Sequence, residues 1–171
     1  MKYFIASLLL PLSVIAQAHV TLEQPEAEAG KSYKAVLRVG HGCDGKATRQ
    51  VIVTLPSGLR GAKPMPKPGW ELATHRALLE RPYESHGKSI ADEVVEVRWT
   101  ALTEANFLQD DWYDEFTLRA TLPAAPATLW FKVRQVCIKG ELNWSEVPSA
   151  AVPRPGVPAV RLDVVKGGGG G

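Results

Sequence analysis

From residue 33 onward, apolar residues repeatedly alternate with polar ones at a period of two, and Gly or Pro interrupts the runs. This period places successive side chains on opposite faces of a β-strand. No segment keeps a helical period for three turns. Short alternating runs between turn residues predict an all-β, antiparallel sandwich in which each strand has one wet face. The predicted strands lie at residues 33–39, 51–55, 95–100, 115–122, 129–137, 142–147 and 159–165.

The segments between these runs are predicted to be irregular. Residues 103–109 could form a short helix or 3₁₀ turn, whereas the Pro-rich stretches 63–68 and 148–158 indicate extended loops. Residues 167–171 are all glycine and predict a flexible tail. The chain contains no internal repeat.

The first 18 residues have the order of a secretory signal peptide. Lys2 precedes an apolar stretch at residues 4–15, and the small-residue sequence Ala16-Gln17-Ala18 follows it. The apolar stretch is too short to cross a bilayer. Cleavage after Ala18 would release the mature chain into the periplasm or the medium with His19 as its first residue. The alternative is an uncleaved anchor, although no long apolar run continues past Ala18.

Length and charge restrict the mature chain further. About 150 residues fit one domain with a core of its own, here residues 19–166. The 20 Lys and Arg nearly balance the 18 Asp and Glu, and the charges are scattered. No basic stripe indicates nucleic-acid binding.

The chain has two cysteines, Cys43 and Cys137. An even pair in a secreted protein favours a disulfide, which in the chain-entropy model would stabilise a loop of about 95 residues by about 4–5 kcal/mol. A pair of thiolate metal ligands is the alternative, but no CxxC spacing accompanies it.

His19 at a mature terminus would offer two nitrogens from one residue. The α-amine and the ring Nδ1 can close a six-membered chelate, and both groups lose protons to a metal near neutral pH. Nitrogen and oxygen ligands in a tetragonal plane suit Cu(II), which also heads the affinity order of divalent first-row metals. The other interpretation is that His19 merely follows a cleavage site.

Nine segments of the mature chain resemble the YcnI family, also known as DUF1775, and they follow one another in the family's order. They are residues 18–22, 40–43, 53–58, 66–72, 114–116, 122–123, 129–131, 135–137 and 144–148. The resemblance implies an immunoglobulin-like or cupredoxin-like sandwich that binds Cu(II) through a single amino-terminal histidine. Family members are associated with copper import or resistance genes, which implies a periplasmic or membrane copper-transport protein as a partner.

Carried over to this chain, the resemblance assigns three residues. His19 would supply amine and imidazole, Glu115 an oxygen ligand, and Trp144 a cover over the ion. Alternation agrees in placing Glu115 on the face opposite Phe116, where a carboxylate stays ionised. Without the resemblance, Glu115 would be a solvated strand residue and Trp144 a core residue.

The other candidate ligands have simpler interpretations. His41 could be a second ligand held near Cys43, or a turn residue between glycines. His75 and His86 are expected to be exposed beside an irregular loop. An acidic group at residues 110, 111 and 114 could attract cations or form a solvated loop. Asn143 begins a glycosylation sequon to which we assign no role.

Three functions compete on this evidence. The first is a non-enzymatic Cu(II) chaperone, scavenger or buffer. The second is a copper oxidase or monooxygenase, which needs a second histidine in the plane where the resemblance offers Glu115. The third is a metal-independent interaction module. No hydrolytic triad can be assembled, and Met65 alone in the mature chain makes no thioether Cu(I) site.

Overall fold

The computed structural model describes residues 19–167, so the predicted signal peptide at 1–18 and the end of the predicted tail at 168–171 lie outside the described residues. Within that range no helix is long and apolar enough to span a membrane. The described chain forms eleven strands: β1 Thr21–Leu22, β2 Glu26–Glu28, β3 Ser32–Val39, β4 Thr48–Thr54, β5 Arg60–Pro64, β6 Trp70–Ser85, β7 Lys88–Ala101, β8 Asp114–Thr121, β9 Ala127–Cys137, β10 Glu141–Trp144 and β11 Val160–Val165.

The strands form two sheets. One sheet has the order β1-β3-β8-β5, and the other has the order β2-β11-β9-β4-β7-β6, with β10 also paired to β9. Strand β11 pairs with residues 127–131 of β9, whereas β10 pairs with residues 133–136 along the same edge. The predicted sandwich is confirmed. One pair, β2 with β11, is parallel, so the second sheet is mixed.

The apolar faces of the predicted strands form the core between the sheets. Phe116 is fully buried and packs edge-on against Trp70 and Trp99, with ring centroids 5.2 and 5.6 Å away. Such aromatic pairs contribute beyond the area they bury. The alternating residues that are buried as predicted are Tyr33, Ala35, Leu37, Val39, Val51, Val53, Val97, Leu118, Ala120, Leu129, Phe131 and Val133.

A long hairpin formed by β6 and β7 was missed in the sequence, where only residues 95–100 were predicted to be a strand. Most of β6 is exposed, Leu78 to 85%, because the hairpin extends beyond the core. A strand with no buried face has no reason to alternate, so its pattern carries no signal. The two-residue turn at His86 and Gly87 has positive φ at both positions, as tight hairpin turns require.

Several predicted boundaries also shift. Residues 63 and 64 end β5 instead of opening a loop, and β10 stops at Trp144, three residues before its predicted end. Of the short helix or 3₁₀ turn predicted within 103–109, the structure has the 3₁₀ turn, at Glu104–Asn106. No strand occurs in 148–158, in agreement with the predicted loop.

Tyr33 on β3 is a buried phenol whose hydroxyl donates to the Gln24 carbonyl at 2.6 Å. Burial raises the pKa of Tyr33 to about 12, and the charge of Glu23 adds to the rise. An unfolded tyrosine ionises near pH 10, so above that pH the unfolded chain binds fewer protons than the folded one. We therefore expect stability to fall between about pH 10 and 12. Tyrosinate absorbance should lose its highest step in Tyr33→Phe, and an unchanged titration would contradict this.

Candidate metal centre

His19 lies just before β1, at one end of the sandwich. Its imidazole packs edge-on against the Trp144 indole, with ring centroids 5.5 Å apart and an interplanar angle of 73°. The ring Nε2 is buried and has no hydrogen-bond partner among the described residues. A buried polar atom without a partner costs about 1–3 kcal/mol, so the described residues leave this one nitrogen unsatisfied.

Trp144 is the last residue of β10 and is only 3% exposed. It therefore belongs to the core, as the residue pattern alone suggested, and it also faces the imidazole, as the resemblance implied. Strand β10 pairs with β9 in the second sheet, and its last residue, Trp144, contacts His19 just before β1 of the first sheet. Of the three residues assigned from the resemblance, the structure brings these two together.

Gln135 on β9 is the hydrogen-bond partner of Trp144, and the sequence analysis did not identify this role. It is 1% exposed; its Oε1 accepts a bond from Trp144 Nε1 at 3.3 Å, and its Nε2 donates to Thr48 Oγ1 at 2.7 Å and to the His41 carbonyl at 2.5 Å. The available signal was its place in the apolar series 129, 131, 133, 135, 137, since a polar residue on a buried face needs partners.

The loop that follows β3 brings His41 to the same indole, at a centroid distance of 6.1 Å. Gly42 is required there, because an added Cβ would lie 1.9 Å from the Lys46 carbonyl oxygen. The Gly42 amide donates to Asp110 Oδ1 at 2.9 Å. The loop is therefore tightly packed and carries its imidazole to a defined place.

Glu115 occupies the outer face of β8, as alternation predicted, but its carboxylate is engaged elsewhere. Oε1 accepts a charge-assisted bond from Arg38 Nε at 3.1 Å, and the same guanidinium reaches Glu23 at 2.9 Å. In the register, Arg38 pairs with both Thr21 and Glu115, so Glu115 lies two inter-strand spacings, about 10 Å, from β1. The ion pair, and not a contact with His19, is what the structure gives Glu115.

The remaining candidates are dispersed. Asp110 holds Gly42, and Asp114 forms an ion pair with Lys67 at 2.6 Å, so the predicted acidic group is not a common site. His75 and His86 are exposed as expected, yet they lie in β6 and in its hairpin turn, so the irregular loop predicted beside them is wrong.

The two cysteines form the favoured disulfide. Cys43 and Cys137 are bridged with a Cα separation of 6.0 Å, which joins the loop after β3 to the end of β9. Both are buried, and the described chain has no free cysteine. Thiolate ligation, the alternative, is thereby replaced by a bond that holds the His41 loop against the second sheet.

The donors at this place that suit a copper ion are the two nitrogens of His19 at a free amino terminus. Among residues 19–167, no group of three or more His, Cys, Asp or Glu side chains could hold a metal. A chelate at an amino-terminal histidine needs no such group, because one of its two nitrogens is the main-chain amine. The buried nitrogen of His19 is Nε2, whereas such a chelate uses Nδ1, so burial of Nε2 fixes the ring and leaves Nδ1 for the chelate.

Comparison with solved structures supports the fold. An uncharacterized protein from Nocardia farcinica with an immunoglobulin-like fold matches with a TM-score of 0.67 and 26% identity, over 86% of this chain and 99% of that one. A non-cellulosomal cohesin from the archaeon Archaeoglobus fulgidus matches with a TM-score of 0.42 and 7% identity, over 86% and 91% of the two chains. The first of these matches shows that the sandwich is immunoglobulin-like.

Sequence comparison supports the resemblance drawn from the motifs. No curated protein matches this chain. The model of the family described as the domain of unknown function DUF1775 matches residues 19–164, which is nearly all of the described chain. That match shows that this chain belongs to the DUF1775 family.

Proposed function

We propose that this protein binds Cu(II) outside the cytoplasm and acts in copper homeostasis as a chaperone, scavenger or buffer. The observation that carries the proposal is the placement of the His19 imidazole, which packs edge-on against Trp144 with Nε2 buried and so leaves Nδ1 as the ring nitrogen for a chelate with the amine. The proposal requires cleavage after Ala18, because only then does His19 have a free amine beside its ring.

Within this proposal each residue has a distinct part. His19 offers its amine and Nδ1, two neutral nitrogens suited to Cu(II). Glu115 would contribute a carboxylate oxygen by exchanging its bond to Arg38 for one to the metal, since the side chain is 38% exposed and therefore able to move. Trp144 would shield one side of the ion, and its hydrogen bond to Gln135 fixes the indole for that purpose.

A titration of Cu(II) tests the free terminus directly. We expect the protein beginning at His19 to bind one ion tightly in competition with a chelator, and the same protein with one alanine added before His19 to lose that binding. The extended protein keeps every side chain and removes only the free amine of the histidine. His19→Ala, which keeps a free amine and lacks the ring, should also fail to bind.

The outcomes separate the competing functions. Equal binding by the mature and extended proteins, or binding by neither, would refute the chelate, and absence of binding would favour a metal-independent interaction module. A copper oxidase would turn over ascorbate and release peroxide when loaded. We expect no such turnover, because a carboxylate and a covering indole would limit access to the ion.

The proposal also implies a location and a partner. A signal peptide at residues 1–18 would direct the chain to the periplasm or the medium, where a copper-transport protein of the periplasm or the membrane would exchange the ion with it. This location and this partner follow from the proposed function. A search for the partner depends on the outcome of the titration.

A further inference from the structure

A groove of about 630 Å³ lies between the edge of the first sheet and the end of the β6–β7 hairpin. One wall comes from β5 and the end of β8, and the other comes from the hairpin around its turn. A volume of this size is in the range of sites that bind small ligands. None of the residues that line the groove belongs to the candidate metal centre, so the two places are separate.

Four cationic side chains line this groove: Arg60 and Lys63 on β5, Lys88 on β7 and Arg119 on β8. All four are exposed. Five other arginines form ion pairs with carboxylates, namely Arg38, Arg76, Arg98, Arg134 and Arg161. Within residues 19–167, by contrast, no carboxylate forms an ion pair with any of the four cations at the groove. Their charges are therefore available to a ligand.

The strand register places like charges directly opposite one another beside the groove. Lys34 on β3 is opposite Arg119, and Arg119 is in turn opposite Lys63, so three cations form one row across the sheet. Opposite residues on antiparallel strands have Cβ atoms about 4.5–5.5 Å apart, and like charges at that distance destabilise the pair. The row therefore produces a positive potential, which a bound anion would neutralise.

The two guanidinium groups at the groove are positioned by uncharged partners. Arg60 lies over the Tyr83 ring, with its Cζ 4.3 Å from the ring centroid. Arg119 Nε donates a hydrogen bond to Ser32 Oγ at 2.9 Å. Such contacts restrict each side chain and leave its positive charge in place. Groups that are held in position before binding lose less conformational entropy when a ligand arrives.

Two carboxylates also lie near the groove, and they do not cancel its charge. Glu93 is 6% exposed and accepts hydrogen bonds from the Tyr83 hydroxyl and, at 2.9 Å, from the Gly61 amide. It therefore joins β5 to the hairpin beneath the groove. Glu84 and His86 are among the lining residues, so four permanent cations face one exposed carboxylate there.

We propose that this groove binds a small ligand with two or more oxyanionic groups, of the polyphosphate or polycarboxylate class. A guanidinium group binds phosphate or carboxylate oxygens through two parallel hydrogen bonds, and a lysine adds a point charge. The cations are confined to the groove and the adjoining row, whereas a nucleic acid requires an extended basic surface. The inference does not depend on copper binding, because the groove and the candidate metal centre share no residue.

Calorimetric titration of pyrophosphate, and separately of citrate, into the metal-free mature protein tests this site. We expect a dissociation constant of about 1 mM or lower for at least one of the two anions. The double variant Lys63→Gln with Lys88→Gln should raise that constant roughly tenfold or more, because it removes half of the lining cations. Lys139→Gln with Lys166→Gln is the matched control, since it removes the same net charge from exposed lysines outside the groove. The control should change the constant by less than about twofold.

The outcomes decide between a site in the groove and a general attraction of anions. Equal weakening in the two double variants would show that net charge alone attracts the anion and would overturn the proposal. Absence of binding by either anion would overturn it too, as would binding of a poly-glutamate peptide alone, because the ligand would then be an extended chain. Amide chemical shifts of the unaltered protein give a readout that needs no variant. Changes confined to residues 60–63, 83–90 and 119–121 would support the groove, and changes elsewhere would contradict it.

Discussion

Replacing both Cys43 and Cys137 by alanine should lower the free energy of unfolding by about 3–5 kcal/mol. The bond joins residues 94 positions apart and so restricts the unfolded chain over most of the domain. In the chain-entropy model a loop of about 95 residues corresponds to roughly 4–5 kcal/mol. Residual structure in the unfolded chain lowers that figure, and truncating two buried side chains adds a smaller loss, so the total stays at about 3–5 kcal/mol. Urea denaturation of the metal-free proteins measures the difference.

The same variant should also bind Cu(II) less tightly. The bond ends on Cys137, two residues after Gln135 on β9, and Gln135 is the hydrogen-bond partner that fixes the Trp144 indole beside His19. The alanine variant is preferable to chemical reduction, because free thiols would themselves bind copper. A loss of stability under about 1 kcal/mol would show that the bridge does not restrict the unfolded chain as argued.

The parts of the fold that could be predicted are those in which one strand face is buried. β3, β8 and β9 alternate because their odd or even positions face the core, and the pattern there located both strands and buried residues. Near its turn the hairpin of β6 and β7 projects from the core, so hydrogen bonding and the tight turn at His86-Gly87 hold that part together without a burial pattern. Periodicity reports burial, and it fails where strands form without it.

The candidate site shows the same limit. The sequence singled out His19 and Trp144, and the structure places them together. The ion pair of Glu115 with Arg38 depends on the register of two strands, which the sequence pattern does not give. His41 reaches the indole only because the β1–β3 register and the disulfide set its loop there. Side chains from distant segments meet because their strands pair, and strand pairing depends on residues far apart in the sequence.

Gln135→Leu should destabilise the protein by about 2–4 kcal/mol and should also weaken Cu(II) binding. Leucine has similar bulk but removes the hydrogen bonds that Gln135 makes with three groups: the indole N–H of Trp144, the hydroxyl of Thr48, which keeps its contact with Cys137 Sγ, and the carbonyl of His41. Each unsatisfied group costs roughly 1–3 kcal/mol, partly offset by the apolar side chain. Denaturant unfolding and chelator competition measure the two effects.

Gln50→Leu is the matched control, because the substitution is identical and the side chain of Gln50 on β4 donates to Thr100 Oγ1 at 2.8 Å in a partly exposed place. Water can replace that bond, so its loss should cost less than about 1 kcal/mol and leave copper affinity unchanged. If both variants lost the same stability, burial of the Gln135 network would not be the cause. If Gln135→Leu lost stability but kept full affinity, the Trp144 indole would not need its hydrogen bond to Gln135 in order to cover the ion.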